Sequence, residues 1–197
     1  MSINLATINS RVYARLAADL SSPSYSKIHA NSIATFANEL TAKVIWFFVE
    51  KKDLAPIQAL LVIDESVSLT AGIGTLPTDY EAPGGVKVSS SKLRAKLYAT
   101  AEAFNMWDSS NFIVTPTTRK PIAFVANGKL YVKPTSYTVA YLDYIKTHPT
   151  LTGAVTTSFS TVGDTILVSL IVARCFDFLE EYELANTARF EAGVGVK

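Results

Sequence analysis

Apolar residues recur every three or four positions in two stretches near the start of the chain. Ile8, Val12, Leu16 and Leu20 place one stripe on a helix over residues 5–20, which Ser21, Ser22, Pro23 and Ser24 stop. Ile33, Ala37, Leu40, Val44 and Phe47 step the same way along a longer helix from about residue 28 to 52, with Asn31, Asn38, Glu39 and Lys43 on its wetter side. Trp46 falls near that wetter side, where a large aromatic is either the margin of the core or a subunit contact.

After Pro56 the period shortens. Residues 60–63 and 67–69 read as two short strands with Asp64, Glu65 and Ser66 turning between them, and Gly72-Ile73-Gly74-Thr75 opens a loop. Leu76-Pro77-Thr78-Asp79-Tyr80 follows, and Pro83-Gly84-Gly85 reads as a further turn. Over residues 91–107 the spacing of Leu93, Leu97, Ala101 and Phe104 predicts a middle helix, capped by Ser90 or Ser91. Residues 122–126 and 130–132 are β-branched and aromatic runs joined by Asn127-Gly128, whose residue types tolerate positive φ, so they form a hairpin; residues 138–145 form a third strand. A linker rich in threonine, serine and glycine covers 147–163. The last helix runs from about Asp164, which suits the positive end of the helix dipole, to Ala192 and stops at Gly193. Its Ile166, Leu167, Leu170, Ile171, Val172, Phe176, Phe178 and Leu179 wrap most of its circumference, as in a helix central to a bundle or shared between subunits.

The resulting fold class is α+β: a helical bundle body (N-terminal helix pair, middle helix and long C-terminal helix) with a β-rich lobe inserted in the middle of the chain. We expect a single domain over 1–197, with the helical body at about 1–55 and 163–193, the lobe at about 56–150, and a flexible C-terminal tail at 194–197.

Charge then narrows the function. Eighteen basic against seventeen acidic side chains give a net charge of +1, so the long-range field that draws a protein onto nucleic acid or an anionic membrane is missing. The start of the chain lacks the pattern of a signal peptide, and the longest apolar runs, residues 44–49 and 166–173, fall short of the roughly 18 residues that span a bilayer. The expectation is a cytoplasmic chain that stays soluble or joins an assembly, with no membrane partner. Cys175, the single cysteine, sits in an apolar run and reads as a small packed hydrophobe.

Candidate chemistry is sparse. His29 and His148 are far apart, without metal-ligand spacing, and read as solvent-facing. Glu180, Glu181 and Glu183 read as a solvated or interface face rather than an acid–base pair. No serine stands in a nucleophile setting, and the glycines form no phosphate-binding order. Arg119, Lys120, Lys129 and Lys133 near Phe124 and Tyr131 mix basic and aromatic groups as single-strand binders do, but four charges in a near-neutral chain fit an ordinary solvent-facing sheet better. The expectation is no enzyme, no catalytic residue, no metal and no cofactor.

One order of motifs is specific. GTLPTDYEAP, a segment ending NMWDSSNF, PTTRKPIAFVANGKLYVKPTS, YTVAYLDYIKTHP and the final DTILVSLIVARCFDFLEEYELANTARFEAG follow one another over about 180 residues. This order resembles the head-to-tail connector or adaptor proteins of tailed bacteriophages, and most closely the neck ring proteins of crAss-like phages. Leu76–Tyr80, Pro116, Pro121 to Ala123, Gly128, Pro134, Tyr144-Ile145 and Pro149 carry the match; residues 81–91 and 146–164 depart from it.

The resemblance implies a structural virion protein: a homo-oligomeric ring, a dodecamer, below the portal, connecting capsid to tail and continuing the DNA channel. Its partners are then the portal protein, further neck or tail proteins, and passing double-stranded DNA without sequence-specific binding. It would act in the virion neck after assembly in the host cytoplasm. The residues expected at subunit or portal contacts are Trp46, Phe178, Tyr182, Phe190, Val194, Val196 and Lys197. The alternative is a small carbohydrate- or peptide-binding module that uses the aromatic face around Phe124, Tyr131 and Tyr141.

Overall fold

The computed structural model describes residues 2–19, 27–106 and 116–193. The chain divides into two compact units, one of residues 1–60 and 148–197 and one of residues 61–147. N- and C-terminal helices thus flank a central β-rich segment in the sequence, and the fold is α+β as expected.

In the helical unit, α1 (Leu5–Asp19) buries Ile8, Val12 and Leu16, and α2 (Ala30–Lys51) buries Ile33, Ala37, Leu40, Val44 and Phe48. The ends of α2 and of the later helices are set by backbone rather than by glycine alone. Lys52 takes φ 57°, and Lys52 N–H and Asp53 N–H donate to the carbonyls of Val49 and Phe48, closing the helix with a left-handed cap. A 3₁₀ segment, Ala55–Leu60, follows. The predicted stop at residues 21–24 lies outside the described residues.

α4 (Thr161–Phe178) is the axis of this unit. Leu167, Ile171, Val172, Cys175 and Phe176 are buried, and the helix packs against α1, α2 and α5 (Tyr182–Glu191). Burial pushes the Cys175 thiol up to about 12, so it packs as an un-ionised hydrophobe. Asp164 does more than face the helix dipole. It is itself buried, and burial raises its carboxyl pKa, with Thr157 and Arg11 acting in the opposite direction.

The expected single helix over 164–192 is two helices. Glu180 adopts φ 65°; its N–H donates to Asp177 O (3.1 Å), and Glu181 N–H reaches Phe176 O (2.9 Å). These are the two crossed bonds of a Schellman cap, here with glutamate in the position that glycine usually fills. Without the glycine, nothing in the letters marked the break. Gly193, with φ 71°, ends α5 as expected.

The segment before α4 is strapped to the helices. Asn38, expected on the wet side of α2, accepts Leu151 N–H at 2.6 Å, and Ile3 exchanges bonds with Thr157 through both backbone and hydroxyl. His148 is not solvent-facing. Its ring packs on Phe159 (centroids 5.0 Å apart), Nε2 accepts Ser158 N–H at 2.9 Å, and Nδ1 lies 2.6 Å from Pro149 O. That pattern requires the neutral ring with its proton on Nδ1.

The β unit is a seven-stranded sheet in the order β1-β7-β3-β4-β5-β6-β2, antiparallel except for the β4–β5 pair. The strands are β1 (Leu61–Ser68), β2 (Ile73–Thr75), β3 (Tyr80–Val88), β4 (Leu93–Tyr98), β5 (Ile122–Ala126), β6 (Lys129–Lys133) and β7 (Val139–Lys146). Val67, Val86, Val88, Ala95, Ala123, Leu130, Val132, Ala140 and Leu142 fill one side. The sheet curls until its two ends meet. Ala71 (φ 51°) and Gly72 (φ 77°) turn the chain tightly from β1 into β2, and Thr70 and Ile73 exchange both backbone bonds across the turn.

Several local expectations change here. The two strands proposed around Asp64 to Ser66 are one strand, β1, with a bulge at Asp64 (φ 61°). Gly72 to Thr75 is not a loop throughout, since residues 73–75 are β2 on β6. Pro83-Gly84-Gly85 lies inside β3, where a Cβ on Gly84 would sit 2.9 Å from Asp143 O; the glycine allows close strand approach rather than a turn. The middle helix over 91–107 is β4 followed by a short helix α3 (Ala101–Asn105), capped by the Thr100 hydroxyl rather than by Ser90 or Ser91. Leu93, Ala95 and Leu97 also alternate with Arg94 and Lys96, and pairing to β3 and β5 selects the period of two. The Asn127-Gly128 hairpin forms as expected, with φ 50° and 69°.

The motif Leu76–Tyr80 acquires a physical role. Leu76 N–H donates to Gly128 O at the hairpin turn, Asp79 accepts the Tyr144 hydroxyl at 2.8 Å, and Tyr80 stacks on Tyr144 at 5.7 Å. Burial, helped by Asp79, pushes the Tyr144 hydroxyl up to about 12. On the outer side of β1, β7 and β3, Lys87 bridges Asp64 (2.9 Å) and Asp143 (2.8 Å), and Lys92 reaches the other Asp64 oxygen at 2.6 Å. The charged letters that suggested a turn are a cross-strand ion network.

Two outcomes are expected. A Cβ on Gly74 would lie 2.5 Å from Val67 Cγ1 and 2.9 Å from Ser68 O, so Gly74→Ala should lower stability by about 1–3 kcal/mol, read as a fall in the urea midpoint. Burial lowers the His148 pKa below 6.5, so the unfolded chain binds the extra proton. Its contribution is therefore present above pH 6.5 and is lost as pH falls below that value; melting curves from pH 7.5 to 5 should show the loss in the wild type and a smaller one in His148→Gln.

Candidate subunit-contact surfaces

The helical unit carries large aromatics that its own core does not use. Trp46 on α2 is 41% exposed, Phe178 and Tyr182 at the α4–α5 elbow are each 62% exposed, and Phe190 on α5 is 81% exposed. All four were expected at contacts. Val194, Val196 and Lys197, the other expected contact residues, lie outside the described residues.

The elbow explains Phe178 and Tyr182. The Schellman cap redirects the chain after Phe178, and α5 returns so that Ala185 and Ala188 bury their small side chains in the unit. Tyr182 and Arg189 are seven apart and share a face of α5; Arg174 and Phe178 are four apart and share a face of α4. Trp46, Phe47, Leu170, Ala173, Asp177 and Arg189 border a groove of about 340 Å³ between α2, α4 and α5. Arg189 is held there by Asp177 and by Asn186 (3.0 Å), and Arg174 lies over the Phe36 ring at 5.7 Å. Lys43, Glu50 and Arg174 also border it, so the groove is aromatic and apolar along its length with charged groups of both signs around it.

A second groove, of about 190 Å³, opens between α1, α4 and α5. Its floor is small and β-branched, with Thr165, Val168, Ser169 and Val172, and Arg11 and Arg15 form its wall. Arg15 is fixed by Glu191 (2.6 Å) and Asp19 (3.1 Å), and the Glu191 hydrogen bond holds its pKa above the ordinary arginine value. Sequence reasoning missed this groove, because its residues come from three helices and share no motif.

The other candidates fall into place individually. Glu180, Glu181 and Glu183 are exposed, as a solvated face requires, and His29 is exposed. Among the described residues no group of three or more His, Cys, Asp or Glu side chains is placed to hold a metal ion, and no helix is long and apolar enough to cross a membrane. Phe124 and Tyr131 face each other across β5 and β6 (centroids 6.1 Å apart), but Phe104 of α3 stacks on Phe124 at 5.8 Å. Tyr141 stands on β7 beneath Lys92, apart from that pair in the strand order. All three stand on the side of the sheet away from the core, but β3 and β4 separate Tyr141 from the other two, so they do not form one cluster.

The elbow conformation is open to measurement. Replacing Glu180 by glycine removes the left-handed penalty of a side chain, so Glu180→Gly should raise stability by about 0.5–1 kcal/mol in chemical unfolding, whereas a continuous helix would lose about that amount.

A comparison with protein-family models matches residues 5–196 to a family described as SU10 adaptor protein. No curated protein matches the chain.

Proposed function

On the premise that this chain belongs to the SU10 adaptor family, whose members are structural, oligomeric head-to-tail connectors of tailed phages and not enzymes, we propose that it forms a closed ring below the portal. The family match over nearly the whole chain carries this reading. The ring is a dodecamer in the virion neck, assembled in the host cytoplasm, and is most like the neck rings of crAss-like phages. It joins capsid to tail and continues the DNA channel. A net charge of +1 suits a conduit through which DNA slides without being gripped.

Within the ring, the helical body of about 1–55 and 163–193 and the lobe of about 56–150 act as one domain. Trp46, Phe178, Tyr182 and Phe190 lie at subunit or portal contacts, which is the natural use of exposed aromatics on an oligomeric protein. Residues 194–197, with Val194, Val196 and Lys197, attach to the portal.

Electron cryomicroscopy of the portal complex tests the reading: a closed ring of this chain on the portal axis is expected, and its absence from the neck overturns the proposal. Truncation after Gly193 should weaken portal attachment while leaving the far-ultraviolet circular dichroism unchanged. A large loss of helical signal, or unaltered attachment, counts against a portal role for the tail.

A further inference from the structure

From Phe178 to Leu184, where α4 gives way to α5, the chain carries two aromatics, three glutamates and no basic residue. The Schellman cap turns this stretch out of α4 and back into α5, which leaves Phe178 and Tyr182 on either side of the bend, each 62% exposed. Glu180, Glu181 and Glu183 are exposed around them. Asp177 is taken up by Arg189, whereas none of the three glutamates makes an ion pair among the described residues. The backbone bonds from Glu180 to Asp177 and from Glu181 to Phe176 hold the bend in one conformation, so its side chains are presented to a partner already ordered.

Aromatic side chains of this kind anchor protein interfaces by filling apolar clefts, and the charges around them select the partner. Here those charges are all negative, so the complementary surface is an apolar cleft with lysine and arginine at its rim. The grooves of this chain's own helical unit do not offer one. Arg15 is held by Glu191 and Asp19, Arg189 by Asp177, Arg11 acts on the buried Asp164, and Arg174 lies over Phe36. Glu50 and Asp177 border the larger groove and repel further carboxylates. Glu180 points the same way, since glycine suits its φ of 65° better and the bend nevertheless keeps a charged side chain there.

We propose that the α4–α5 bend is a portal-docking knob: Phe178 and Tyr182 enter an apolar cleft of the portal protein, and Glu180, Glu181 and Glu183 pair with lysine and arginine at its rim. The inference rests on the ring reading above and assigns these two aromatics to the portal rather than to a neighbouring subunit. α5 is ten residues long, about 15 Å, with the knob at its start and residues 194–197 beyond its end. The knob and the tail are therefore separate points of attachment on one helix, and each raises the effective concentration of the other.

Binding of the full chain to purified portal tests the knob. Phe178→Ser with Tyr182→Ser should lower portal affinity at least about tenfold while the free chain melts as wild type, because both side chains are exposed. Glu180→Gly separates docking from folding: it should unfold at a higher denaturant concentration than wild type and yet bind the portal about threefold less well. Glu181→Gln with Glu183→Gln should weaken binding further. Wild-type affinity should fall as sodium chloride is raised from about 50 to about 500 mM, and the glutamine variant should show a shallower fall.

Wild-type portal affinity in the aromatic double variant, or glutamate variants that lose neither affinity nor salt dependence, would overturn the knob and leave the ring standing. An aromatic double variant that binds the portal normally but no longer associates with its own copies would assign the bend to a neighbouring subunit and overturn the knob as well. If the wild-type chain itself does not bind the portal, both the ring reading and this contact fall.

Discussion

The helical unit depends on the burial of α4. A helix with Leu167, Ile171, Val172, Cys175 and Phe176 in its interior-facing positions and apolar residues around most of its surface must be enclosed, because each large side chain left in water forgoes about 1.5–3 kcal/mol. α1, α2 and α5 supply the enclosure, and the strap before α4 fixes its start through Asn38, His148 and Thr157. That requirement also explains why α5 folds back. The alanines of α5, Ala185 and Ala188, are small enough to lie close to α4, which leaves the larger Tyr182 and Phe190 on the outside.

The β unit answers a different constraint, the closure of strand edges. A seven-stranded sheet with two open ends exposes backbone donors and acceptors that can pair with other chains. Here the tight turn at Ala71-Gly72 brings β2 back beside β1, and Gly74 admits Val67 and Ser68 at distances no side chain tolerates. Leu76–Tyr80 then ties the β5–β6 hairpin to the end of β7 through Gly128 and Tyr144. The motif that carried the resemblance to connector proteins is thus a structural clasp, which fits a family whose task is mechanical. Its residues hold strands together rather than presenting chemistry.

Function follows from surfaces rather than from a catalytic site. Exposed aromatics on a single-chain fold carry a cost in solubility that an oligomer removes by burying them at interfaces. The helical unit separates its aromatic surface from its arginine-walled surface by the width of one helix, α4.

The sequence by itself determined α1 and α2, the Asn127-Gly128 hairpin, the β7 strand and the stop at Gly193. Each of these rests on local periodicity or on a residue with a marked backbone preference. Tertiary structure decided the rest. Residues 93–97 satisfy both a helical and an alternating pattern, and only pairing with β3 and β5 selects the strand. Asp64 and Pro83 to Gly85 carry turn letters, yet neighbouring strands absorb them as a bulge and a close approach. The break at Glu180 is a left-handed residue without glycine, stabilised by packing of α5 on α4. His148 is held neutral by Ser158 and Phe159, contacts that no local pattern announces. The arginine-walled groove gathers side chains from positions 11 to 191. Such a site exists only once three helices have packed, because its distances are set by the core and not by the order of the residues.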